Sequence, residues 1–146
     1  MKNKNFIEKE LLLVKNLIKD EIIEERSIKE LYRYIFQSDG KRLRAKLSLL
    51  SSSKNKRIYK KRIELAAVIE LLHTATLIHD DVVDNSSKRR GITSVNKVWS
   101  NAHGVLIGDY IYSKAFMLMV KIGKKDIIDF TTTTFLSHSK SVGKPS

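Results

Sequence analysis

The chain has 146 residues, 42% of them hydrophobic and 30% charged, enough for one domain with a real core and little more. It contains no cysteine, which excludes a disulfide framework and any thiolate metal site. Lysine and arginine outnumber aspartate and glutamate by 28 to 16, a net charge of +12, so the expected partner is anionic: nucleic acid, lipid headgroup or phosphorylated small molecule.

With one proline and six glycines, long uninterrupted helices are favoured and no sheet pattern competes. Phe6, Leu11, Leu13, Leu17, Ile18 and Ile22 recur at mostly helical spacing and predict an amphipathic helix over about residues 5–25. The longest apolar run there, Leu11 to Val14, is too short for a signal segment or a membrane span, so a cytoplasmic protein without a transmembrane segment is expected. Ser27-Ile28-Lys29-Glu30 has the pattern of a capping box and predicts a second helix through Leu31, Tyr34 and Ile35. A third is expected from about Lys41 to Ser52, and a long, largely buried one from about Tyr59 to Asp84. "NSSKRRGITS" reads as a loop and "SVNKVWSN" as a short helix. A final helix spans Ala102 to Ile122, with Gly123 as its stop. After about Ile128, "DFTTTTFLSHSKSVGKPS" has no helical stripe, which divides the chain into a domain portion, 1–128, and a poorly packed tail, 129–146.

The informative stretch is "ELLHTATLIHDDVVDNSSKRRG", residues 70–91. At about 100° per residue, His73, Asp80 and Asp84 fall within about 40° of one another and form one polar stripe on an apolar helix. Asp80, Asp81 and Asp84 also lie at the helix C-terminus, where the macrodipole disfavours negative charge by about 0.3–1 kcal/mol. Something cationic must compensate, either the nearby Lys88, Arg89 and Arg90 or a divalent metal. Carboxylates one turn apart, with no histidine or cysteine placed to complete a zinc shell, suit Mg²⁺, which keeps waters and bridges to phosphates. A second basic cluster, "GKRLRAK", puts Lys41 and Arg44 on one face of a helix's first turn, where free backbone N–H groups also attract anions.

These segments resemble the trans-type polyprenyl diphosphate synthases. "HDDVVD" is similar to that family's first Asp-Asp-x-x-Asp motif, "KRRG" follows at the family's spacing, and "GKRLR" resembles its upstream Gly-Gly-Lys-Arg-x-Arg-Pro motif. The likeness runs from the N-terminal helices to about residue 125 and is closest to the long-chain bacterial members such as octaprenyl diphosphate synthase. It implies an all-α fold, the N-terminal part of the isoprenoid synthase helical bundle, and a homodimer. The implied reaction condenses isopentenyl diphosphate with an allylic diphosphate to give a long-chain polyprenyl diphosphate. Asp80, Asp81 and Asp84 would then be catalytic, with Asp80 and Asp84 binding Mg²⁺ that grips the allylic diphosphate. Arg89 would touch that diphosphate, while Lys41, Arg44, His73 and Arg90 would hold isopentenyl diphosphate. Ala75 and Thr76, small residues just below the aspartates, would admit a long product.

Two residues depart from the pattern: Asp39 and Ala45 stand where the family usually has glycine and proline. The family also carries a second aspartate-rich motif further on, and none follows here, as expected of a shortened or frame-shifted chain with impaired turnover. A non-catalytic diphosphate-binding protein, or a partner subunit of a complete synthase, is the alternative. Nucleic-acid binding is disfavoured: the lysines are interleaved with acids, and a carboxylate stripe would repel phosphate unless metal intervened.

Overall fold

The computed structural model describes residues 2–22, 26–37, 42–52 and 61–123. Helix α1, Lys2–Ile22, buries Ile7, Leu11, Val14, Ile18 and Ile22. That spacing is the helical repeat counted from Ile7, so Phe6 and Leu13, two of the apolar residues expected to mark the stripe, are turned outward and exposed. Helix α2, Arg26–Phe36, already includes Ser27, which therefore lies within the first turn instead of capping it. Helix α3 is Leu43–Ser52 and packs Ala45 and Leu49 inward.

The axis of the molecule is α4, Arg62–Val83, whose neighbours are α1, α3 and α6. Its start is fixed by charge. Arg62 is 1% exposed, its Nε donates to Glu10 Oε1 of α1 at 2.8 Å and its Nη2 pairs with the same oxygen, while the guanidinium lies over the Phe6 ring. Its middle is lined with small residues, Ala66, Ala67 and Ala75, all fully buried, which lets neighbouring helices approach closely.

The expected loop after α4 is a small hairpin. Strand β1, Lys88–Arg89, pairs antiparallel with β2, Ile92–Thr93. Arg90 and Gly91 form the two-residue turn with φ of 51° and 84°. Positive φ at both central positions is the type I′ geometry whose twist suits a hairpin. A β-carbon on Gly91 would meet nothing within 4 Å, so glycine is there for its backbone freedom alone.

Helix α5, Val95–Val98, leads into α6, Asn101–Ile122. Ser100 caps α6 by accepting the His103 N–H at 3.2 Å, and Gly123 ends it in the left-handed region as expected. α6 runs antiparallel to α4, because Gly104 sits against Val82 and Gly108 against His79. A β-carbon on Gly108 would lie 2.1 Å from His79 Nε2, and one on Gly104 would lie 2.7 Å from a Val82 methyl. Both glycines are therefore niches for α4 side chains. Leu106, Met117 and Val120 face outward on α6. Among the described residues no helix is long and apolar enough to cross a membrane.

Candidate anion and metal site

A cavity of about 440 Å³ opens between α2, α3, α4 and the hairpin. Its basic wall comes from Lys15 of α1, Arg42 and Arg44 at the start of α3, Arg89 of β1 and Arg90 of the turn. α4 contributes His73, Glu70 and Asp81, and α2 contributes an aromatic wall of Tyr32, Tyr34 and Phe36. The Tyr34 hydroxyl donates to the Thr93 carbonyl at 2.7 Å and its ring meets Trp99 edge-on at 5.1 Å, which ties α2 to the hairpin. Nothing in the local sequence marks Tyr34 for this, because the contact spans 59 positions.

Arg44 Nη1 donates to His73 Nε2 at 2.9 Å. A guanidinium cannot accept, so His73 is the acceptor and carries its own proton on Nδ1. Burial, then the Arg44 charge, lower the His73 pKa below its usual 6.5. The neutral ring is thus the folded-state form, and any stability tied to it is present above pH 6.5 and lost as pH falls through the lowered value. An NMR pH titration is expected to show His73 titrating below 6.5, and Arg44→Ala should move that value upward; an Arg44→Ala titration at or below the wild-type value would remove Arg44 as a cause.

The α3 start is only partly available to an outside anion. Glu70 Oε1 of α4 accepts the Ala45 N–H at 2.9 Å, so one of the backbone donors expected to face phosphate is already taken by an internal carboxylate. Lys41 and Asp39 lie outside the described residues.

The three aspartates separate into two kinds. Asp81 is buried, and its two carboxylate oxygens accept from Arg89 Nε at 2.9 and 2.8 Å while Arg89 Nη2 lies 2.8 Å from Oδ1. Asp80 is half-buried and Asp84 exposed, and neither lines the cavity. Both are close enough to raise the Arg89 pKa, after the larger effect of Asp81. Asp80, with Asp109 of α6, also raises that of Tyr112, which burial mainly drives to about 12. By helical spacing Asp80 and Asp84 lie on the same face of α4 as His73. So the charge expected to compensate this helix end is supplied for Asp81 by Arg89, and Asp80 and Asp84 are left as a pair of oxygen donors one turn apart.

Among the described residues no group of three or more His, Asp or Glu side chains is placed to hold a metal. The two carboxylates fit a hard cation that takes its remaining ligands from water or phosphate and do not fit one enclosed by protein.

Next to them is an arrangement the sequence did not disclose. His79 Nε2–H donates to the Val105 carbonyl at 3.2 Å, lies 3.3 Å from Asp109 Oδ1 and stacks obliquely on Tyr112 at 5.4 Å. Ala75 is fully buried and shares the α6-facing side of α4 with His79 and Val82. The Thr76 hydroxyl donates to the His73 carbonyl at 2.7 Å.

The fold is thus helical, with a cavity lined by arginines beside an acidic helix end. The family model for polyprenyl synthetase matches residues 25–140, and the chain belongs to that family. Octaprenyl diphosphate synthase of Escherichia coli (strain K12) is 40% identical over 102 residues, covering 70% of this chain and 32% of that protein. The crystal structure of a decaprenyl diphosphate synthase from Rhodobacter capsulatus superposes with a TM-score of 0.79 at 32% identity, covering 88% of this chain and 40% of that one. A polyprenyl synthase from Caulobacter crescentus CB15, complexed with calcium and isoprenyl diphosphate, gives 0.78 at 32% identity over the same shares. The chain thus spans about a third of the length of the curated relatives it matches. The family match continues past Ile128, into residues outside those described.

Proposed function

We propose that the protein serves prenyl transfer, condensing isopentenyl diphosphate with an allylic diphosphate toward a long-chain polyprenyl diphosphate. One observation carries this reading: a cavity is walled by Arg44, His73, Arg89 and Arg90, and Asp80 and Asp84 share the His73 face of the same helix with no side-chain hydrogen bond or ion pair among the described residues.

In this reading Asp80 and Asp84 would hold Mg²⁺, which supplies Lewis-acid neutralisation of the leaving diphosphate. Arg89 presents its remaining N–H groups to the allylic diphosphate, and Arg44, His73 and Arg90, with Lys41, receive that of isopentenyl diphosphate. A neutral His73 donates from Nδ1 and adds no proton that an anionic ligand would need to displace. The aromatic wall of α2 and the apolar residues Ile78 and Ile92 exclude water from the reacting carbons. Ala75 and Thr76 remain the proposed limits on product length; since Ala75 is packed toward α6, a larger residue there would act first on helix packing. The family resemblance supports a cytoplasmic homodimer.

Calorimetry is the test. An allylic diphosphate analogue should bind more tightly with Mg²⁺ than with a chelator, and Asp80→Ala with Asp84→Ala should abolish the difference. Equal affinity with and without Mg²⁺ in the folded wild type would sink the proposal. A diphosphate-binding partner of a complete synthase is the second reading, favoured by the absence of a three-ligand metal group among the described residues. Co-purification with a longer homologue would support it.

A further inference from the structure

Asp81 belongs by sequence to the acidic motif, yet its carboxylate is buried and engaged by Arg89. We propose that Asp81 is a positioning residue: it grips one edge of the Arg89 guanidinium so that the other edge is presented to a diphosphate in the cavity. The inference rests on reading the cavity as a diphosphate site.

The geometry is that of a two-pronged pair. Asp81 engages Nε and Nη2, all of these contacts at 2.8–2.9 Å. A guanidinium has five N–H donors in a fixed plane, so this grip leaves the Nη1 edge and sets its direction. The Arg89 side chain is 34% exposed against 4% for Asp81, and Arg89 lines the cavity.

Both ends of the pair are themselves anchored. The Asp81 carbonyl accepts from Ser86 N–H at 2.9 Å and from Asn96 Nδ2 at 3.1 Å. The hairpin bearing Arg89 is closed at its base by Ser94, whose N–H donates to the Ser87 carbonyl and whose hydroxyl donates to that of Ser86. Arg89 is therefore held by its backbone on one side and its guanidinium on the other. Fixing a long side chain before the ligand arrives removes rotamer entropy that binding would otherwise have to overcome.

Positioning and bare charge make opposite predictions. An aspartate beside an anion site repels the anion, so on charge alone Asp81→Asn would tighten diphosphate binding. If Asp81 acts by aiming Arg89, the same change weakens it. The probe is inorganic diphosphate, titrated calorimetrically with a chelator present, and thermal unfolding of each variant is followed alongside. Asp81→Asn is expected to weaken binding about tenfold, the value of roughly one charge-assisted hydrogen bond. Arg89→Lys keeps the charge but not the fork and should cost a similar factor. In an Arg89→Ala background Asp81→Asn should instead tighten binding, since only the repulsion remains to be removed.

Tighter binding by Asp81→Asn alone, wild-type affinity in Arg89→Lys, or no binding of diphosphate by the wild type would each overturn the proposal. Should Asp81→Asn fail to fold, Arg89→Lys decides. These titrations contain no metal. Equal affinity of the allylic analogue with and without Mg²⁺ in the wild type would thus reject the prenyl-transfer reading and leave this result standing, and the reverse outcome would reject the Asp81 role alone.

Discussion

Replacing Glu10 by leucine is expected to destabilise the protein by about 3–5 kcal/mol, and replacing Arg62 by leucine by a similar amount. Arg62 is 1% exposed and Glu10 7%, so removing either partner takes away an ion-pair contact at a place where water cannot replace it. The Coulomb energy of the pair is not the measure of this loss. Desolvation was already spent on both ions, and the single variants keep that cost while giving up its compensation. The double variant, apolar at both positions, should therefore lie much closer to the wild type than the two single losses added together. Denaturant unfolding of the four proteins checks this. Additive losses would mean that the two side chains act through separate contacts.

Gly108→Ala is the second large effect. Alanine in a helix interior normally gains about 1 kcal/mol over glycine. Here the new β-carbon would stand 2.1 Å from His79 Nε2, so the ring has to leave its niche and give up the Val105 carbonyl and Asp109. Overpacking of this kind costs about 1–3 kcal/mol, which should exceed the propensity gain and leave the variant less stable. The histidine is what makes the substitution unfavourable. In a His79→Ala background the same Gly108→Ala change should become stabilising, and a loss of equal size in both backgrounds would place the clash elsewhere.

The helices were legible in the sequence because their signals are local. α4 follows from a long run without glycine or proline, α6 from a segment that is apolar around much of its circumference, and Gly123 stops α6 as its position suggested. The hairpin was not legible: its strands are two residues each, and one of its left-handed turn positions is filled by Arg90, a residue type that carries no turn signal. The rule that three aspartates at a helix C-terminus need cationic compensation pointed to Arg89 and its neighbours, but it could not divide the aspartates. That division depends on Arg89 folding back over eight residues to Asp81, which only the hairpin geometry determines. Likewise nothing in the sequence singles out His79 or Gly108, which acquire their meaning from the antiparallel packing of α4 on α6.

Consider finally what keeps α4 from turning about its own axis. Its small residues, Ala66, Ala67 and Ala75, present a smooth surface that would tolerate rotation, since one methyl is much like another to a neighbouring helix. The angular setting comes from the two ends. Arg62 is keyed to Glu10 on α1 at one end, and His79 is keyed into Gly108 of α6 at the other. Between those keys the number of residues is fixed, and each residue gained or lost would turn everything beyond it by about 100°. Asp80 and Asp81 are that same step apart, so one inserted or deleted residue would carry one carboxylate toward the place of the other. The spacing between Arg62 and Asp80 thus sets which way each carboxylate faces.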